Sequence, residues 1–149
     1  MRFLLLINIL LLSLSPLSGE PLQSDSLCKE YNLRIFVRGQ QITGICVMEN
    51  REQGSVVGTV INEMGVKVFD FTFENGKAQI LNVIGPANRW FIRRALRKDF
   101  NFILAHLFEK EEIKTGRRKM WFEEDDICFS GRHKIEYRFT PLKGQYETN

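Results

Sequence analysis

From Tyr31 to Ile84 the chain repeats one pattern: short runs in which every second residue is apolar, separated by residues that turn. A period of two puts alternate side chains on opposite faces of an extended strand, so such runs fold as a sheet with one buried face. Leu33, Ile35 and Val37 share one side of the first run, against Arg34, Phe36 and Arg38. Gly39 marks a turn, and Ile42, Gly44, Cys46 and Met48 alternate through the second run. Asn50 to Gly54 reads as a loop and Val56 to Ile61 as a third strand. Asn62-Glu63-Met64-Gly65 turns the chain into Val66 to Phe73, and Asn75-Gly76, the strongest short hairpin signal, opens Lys77 to Ile84. These runs describe an antiparallel meander.

The fourth run places Phe69, Phe71 and Phe73 on one face with Lys67, against Val66, Val68, Asp70 and Thr72. Phenylalanines at that spacing need a thick apolar partner, such as a helix laid across the sheet. Gly85-Pro86 ends the meander, Asn88 is the expected N-cap, and a helix is expected from Arg89 to Phe108. At about 100° per residue, Ile92, Leu96, Phe100, Ile103 and Leu107 cluster, and Phe91, Ala95 and Phe102 form a second group about 120° away. So wide an apolar arc exceeds what a surface helix needs; the helix is sandwiched or borders a cavity. Arg93, Arg94, Arg97, Lys98 and Asn101 take the remaining side, with Trp90 and Leu104 among them. After a charged turn from Glu109 to Lys119, short strands return at Met120 to Phe122, Ile127 to Phe129 and Lys134 to Phe139. Strands, helix, strands in that order make one α+β domain over residues 31–141, followed by a tail at 142–149.

Residues 1–19 have the order of a cleavable signal peptide: Arg2, an apolar run from Phe3 to Leu14, Pro16, then Leu17-Ser18-Gly19. The run falls short of the roughly 20 apolar residues of a membrane-spanning helix. Glu20 stands where a lipidated cysteine would follow Leu17-Ser18-Gly19, so the expected product is exported and soluble, with residues 20–30 as a flexible leader. The formal net charge of +3 is only mildly basic and implies no nucleic-acid partner. Cys28, Cys46 and Cys128 enter an oxidising compartment, where they form one disulfide with a spare thiol or serve as small buried hydrophobes. A hairpin turning about Gly39-Gln40 sets Cys46 opposite Leu33 and leaves Cys28 too far along the ladder to bridge it, so Cys46–Cys128 is the pair to test.

Little in the chain carries chemistry. Cys128 and His133 lie five residues apart, but zinc usually takes four protein ligands, or three and a water. As a nucleophilic pair they have no third group to orient the histidine, and His106 sits among apolar neighbours in the helix. The acidic runs Glu109 to Glu112 and Glu123 to Asp126 read as solvated turns. Glycine-rich phosphate loops, serine elbows and paired CxxC motifs are absent. The expectation is a non-enzymatic protein with no catalytic residues, no metal and no cofactor. Arg89, Arg93, Arg94, Arg97 and Lys98 form a basic group suited to phosphate headgroups or an acidic protein, or else a solvated face with snorkelling stems.

The meander INEMGVKVFDFTFENGKAQILNVI followed by NRWFIRRALRKDF resembles small exported proteins of Gram-negative bacteria grouped near the LolA/LolB lipoprotein-carrier superfamily. The resemblance spans roughly Tyr31 to Phe139. It implies a curved antiparallel sheet, an unclosed half-barrel, with a helix across its concave face and an apolar cavity for acyl chains between them. On that reading Phe69, Phe71, Phe73, Phe91 and Phe102 wall the cavity, and Arg93, Arg94 and Arg97 meet an anionic headgroup at its opening. Lipid or lipoprotein acyl chains are then the partners, with at most peripheral or transient membrane contact. The chain is shorter than typical carriers, and Glu20 places it with the soluble branch. The alternative is a periplasmic interaction or assembly factor in which the same apolar surfaces close into a solid core.

Export without lipidation has a direct test. Intact-mass measurement of the secreted form is expected to place the N-terminus at or near Glu20 with no acyl mass; an acylated, membrane-extracted species would refute it.

Overall fold

The computed structural model of the protein describes residues 28–143. The segment expected to be a signal peptide, the expected leader up to residue 27 and the tail from residue 144 lie outside the described residues. Two hairpins are set by paired left-handed residues: Arg38 and Gly39 at φ 49° and 78°, and Asn75 and Gly76 at φ 52° and 73°. Positive φ at both central positions matches the twist of the flanking strands and closes a two-residue turn. The first half of the domain is β1 (Cys28–Val37), β2 (Gln40–Asn50), β3 (Val56–Asn62), β4 (Lys67–Glu74) and β5 (Lys77–Leu81). A helix, α1 (Trp90–His106), leads to β6 (Ile113–Thr115), β7 (Arg118–Glu123), β8 (Asp126–Ser130) and β9 (Ile135–Pro141).

These strands form one antiparallel sheet in the order β5-β4-β3-β2-β1-β9-β8-β7-β6. The chain therefore builds a meander out to one edge at β5, crosses the sheet face through α1, and returns from the opposite edge until β9 pairs with β1. The buried face carries Leu33, Cys46, Met48, Val56, Phe69 and Phe71 from the first meander. Met120, Ile127, Phe129, Tyr137 and Phe139 continue it across the second. α1 contributes Leu96, Phe100, Ile103 and Leu104, and Leu107 follows just past its end. The α+β class and the antiparallel sheet with one helix are as the alternation required.

Several details differ from the sequence reading. The first turn lies one residue earlier than Gly39-Gln40, because Arg38 itself adopts the left-handed conformation. Cys46 consequently faces Tyr31, and Cys28 faces Glu49. Cys46 and Cys128, the candidate pair, are not joined, and all three cysteines are free. Cys46 shares the helix-covered face, whereas Cys128 pairs with Arg138 on the other face, with β1 and β9 lying between their strands. β1 begins at Cys28, inside the segment read as leader, and β6 lies inside the segment read as a charged turn. Asn88 is not the N-cap of α1: its N–H closes a tight turn on the Gly85 carbonyl at 3.0 Å, and Arg89 takes the cap position without a side-chain bond. Leu104 is buried instead of sharing the cationic side.

Packing requires glycine at Gly44, where a Cβ would meet the Ile61 carbonyl oxygen, and at Gly58. A Cβ on Gly58 would collide with the Phe71 ring and the Val47 carbonyl oxygen, so β3 is bare where Phe71 lies across it. Gly58→Ala is expected to cost about 1–3 kcal/mol, as overpacking does, read as a lowered urea midpoint. An unchanged midpoint would mean that Phe71 has room to move. Thiol titration of the folded protein is expected to modify exposed Cys28 alone, with buried Cys46 and Cys128 reacting only in denaturant. A single thiol in denaturant would instead reveal the disulfide.

Candidate functional site

The two halves of α1 meet the sheet differently. In the C-terminal half, Phe100 is fully buried and packs edge-on to Phe69 at 5.4 Å, Tyr137 at 6.1 Å and Phe139 at 6.3 Å, with Phe71 tilted at 4.9 Å. Such aromatic pairs favour offset and edge geometries, so one side chain links both meanders. The Asn101 side-chain oxygen accepts the Ala78 N–H at 2.7 Å and ties the helix to edge strand β5. Phe102 packs on Phe129 at 5.5 Å. This half is filled.

In the N-terminal half the small Ala95 follows Ile92, and α1 and the sheet enclose a cavity of about 570 Å³. Leu33, Ile35, Val60, Phe69, Ile92 and Leu96 form its walls, and Ile42, Pro86 and Phe91 its rim. Arg38, His133 and Tyr137 are the charged or titratable groups along its lining. Val68 lines it as well, although alternation would send it to the opposite face from Phe69. The register of β3 against β4 shifts at Val60/Ile61, and a bulge of this kind re-aims a side chain.

Of the residues expected to wall a cavity, Phe69 and Phe91 do so, whereas Phe71, Phe73 and Phe102 belong to the filled core. Of the expected headgroup arginines, Arg93 and Arg94 are exposed on α1 and do not line the apolar cavity, and Arg97 borders a polar groove on the other side of the helix. Arg89, Arg93 and Arg94 stand at the N-terminal end of α1, whose first turn holds no acid, so the helix dipole repels them and favours anions nearby. Cys128 and His133 do not meet: the thiol faces the uncovered side of the sheet beside Arg138, and the imidazole borders the cavity. Among the described residues no group of three or more His, Cys, Asp or Glu could hold a metal ion. No helix there is long and apolar enough to cross a membrane.

A second pocket, of about 460 Å³, lies on the other side of Ala95 and His133. Asp99 forms its floor, with Lys98, Arg117, Arg118 and Arg132 around it. Asp99 is only 5% exposed and accepts the Tyr137 hydroxyl at 3.1 Å. Burial pushes its carboxyl above the usual range, opposed by the Tyr137 hydrogen bond and the charges of Arg118 and His133. Burial, aided by Asp99, likewise raises the Tyr137 hydroxyl well above its ordinary value. Arg118 Nε stands 3.9 Å from the carboxylate, too far to donate, and is buried without an acceptor. Sequence reading missed this cluster because its members come from α1, the β6–β7 turn, β7 and the β8–β9 turn, with no local spacing to join them.

A scan against protein-family models finds no match to this chain, and a search of curated proteins finds no related sequence.

Proposed function

We propose that the protein is an exported periplasmic lipid- or lipoprotein-binding module of LolA/LolB-like type, non-enzymatic, whose sheet curves as a half-barrel with α1 across its concave face. The observation that carries this reading is the apolar cavity of about 570 Å³ between α1 and the sheet. Its volume lies within the range of roughly 300–1,000 Å³ typical of small-molecule sites, which combine apolar walls with a few polar groups. A filled hydrophobic core holds few voids larger than a water molecule, so a space of this size between the only described helix and its sheet favours a ligand over packing alone. The apolar rim residues Ile42 and Phe91 continue the walls out to solvent, giving a chain a path inward.

The energetics suit an acyl chain. Each buried methylene contributes about 0.8 kcal/mol, so about ten of them supply about 8 kcal/mol. That equals a micromolar dissociation constant before the cost of association, so useful affinity needs a chain that fills the cavity.

Titration with a fatty-acid series tests this. Each two-carbon extension is expected to tighten binding about fifteenfold until the cavity is full, then to stop doing so. Ile92→Trp, which adds volume inside the cavity, is expected to abolish binding by a protein of unchanged circular dichroism. Phe91→Ser at the rim should weaken it several-fold. Absence of saturable binding by folded wild-type protein would overturn the carrier reading. The interaction-factor reading would then lead, on the evidence of Trp90, 74% exposed and stacked edge-on against half-exposed Phe91 at 6.0 Å.

A further inference from the structure

We propose that the basic pocket is a phosphoryl-headgroup site, and that the ligand is an anionic phosphoamphiphile whose chain enters the apolar cavity while its phosphate lies among Lys98, Arg118 and Arg132. This rests on the acyl-chain reading of the cavity and narrows it to one ligand class. Three observations lead there. First, Ala95 and His133 line both spaces, so apolar cavity and basic pocket share one thin wall. The two spaces therefore adjoin, and an amphiphile whose chain fills the first would carry its headgroup close to the second.

Second, the charges do not balance. Lys98, Arg117, Arg118 and Arg132 surround a single carboxylate, Asp99. Among the described residues Arg118 has only its long contact with Asp99, and Lys98, Arg117 and Arg132 have no ion pair. A neighbouring groove of about 720 Å³ shares Lys98, Arg118 and Arg132 and adds Lys77 and Arg97. Four cations facing one acid are better relieved by a dianion than by the single charge of a fatty-acid carboxylate. The planar fork of arginine matches phosphate oxygens pairwise.

Third, a donor is waiting. The buried Arg118 Nε–H has no acceptor, and a buried unmade hydrogen bond is costly. A phosphate oxygen in the pocket would supply the acceptor that Asp99, at 3.9 Å, does not. The arginines singled out by sequence, Arg93 and Arg94, are on α1 but outside this pocket.

The test titrates the full exported protein with three amphiphiles carrying the same chain: lysophosphatidic acid, lysophosphatidylcholine and a neutral monoacylglycerol. The phosphomonoester is expected to bind at least about tenfold tighter than the neutral lipid, with the advantage shrinking as salt rises. Lys98→Glu combined with Arg132→Glu, both at exposed positions, is expected to remove that advantage and leave monoacylglycerol affinity unchanged, which also reports a folded cavity. Glycerol 3-phosphate, the headgroup alone, is expected to bind only weakly and to compete with lysophosphatidic acid. Equal affinity for the three lipids, or a preference that survives the double substitution, overturns the headgroup site while the cavity reading stands. Binding of none of the lipids defeats both readings. Tight binding of glycerol 3-phosphate without its chain would reassign the pocket to a free phosphate compound and overturn the amphiphile.

Discussion

An open sheet of nine strands with one apolar face must cover that face, and the described chain supplies a single helix to do it. Strands spaced about 4.8 Å apart give such a sheet a width of nearly 40 Å when flat. A helix of 17 residues reaches only about 25 Å at 1.5 Å per residue. Coverage is therefore uneven, and sequence decides where it is complete. Phe100, Ile103, Leu104 and Leu107 are large and come close together, so the C-terminal half of α1 reaches the sheet everywhere. Toward the N-terminus the small Ala95 leaves space between helix and sheet, and the cavity lies there.

Phe100 also explains how two separate meanders act as one domain. Its ring touches Phe69 and Phe71 from β4, and Tyr137 and Phe139 from β9. The other link is the pairing of β1 with β9, from Tyr31 against Pro141 to Val37 against Ile135, near opposite ends of the described chain. Contacts this distant in sequence pay loop-closure entropy before they contribute, so the β1–β9 ladder is expected to form late and to depend on the aromatic node.

Features governed by neighbours in sequence were legible: the alternation of β1 to β5, the Asn75-Gly76 hairpin, and the position of α1 to within a few residues. Features governed by distant residues were not. Nothing local announces that β9 returns to β1, that β6 pairs from within a charged stretch, or that the bulge at Val60/Ile61 turns Val68 toward the cavity. The first turn was misplaced by one residue because Arg38, not a residue type favoured at positive φ, takes the left-handed position. A single-residue error of that kind moved Cys46 from Leu33 to Tyr31. The three-phenylalanine face of β4 was rightly read as buried under a helix, but its ability to wall a cavity depended on how close that helix came, which periodicity does not encode.

Asp99 joins the filled and unfilled regions. It sits one residue before Phe100 and next to the helix turn that carries Ala95, so the same stretch of α1 anchors the core and borders both pockets. Its carboxylate holds the Tyr137 hydroxyl from β9 and lies against Gly131, where a Cβ would stand 3.1 Å from Oδ1. Gly131 in turn donates its N–H to the Ile135 carbonyl at 2.9 Å, closing the turn that presents Arg132 and His133. Burying a carboxylate against its own solvation is unfavourable, as its raised pKa reflects. That cost is met at one residue, and it fixes the wall between an apolar space and a cationic one.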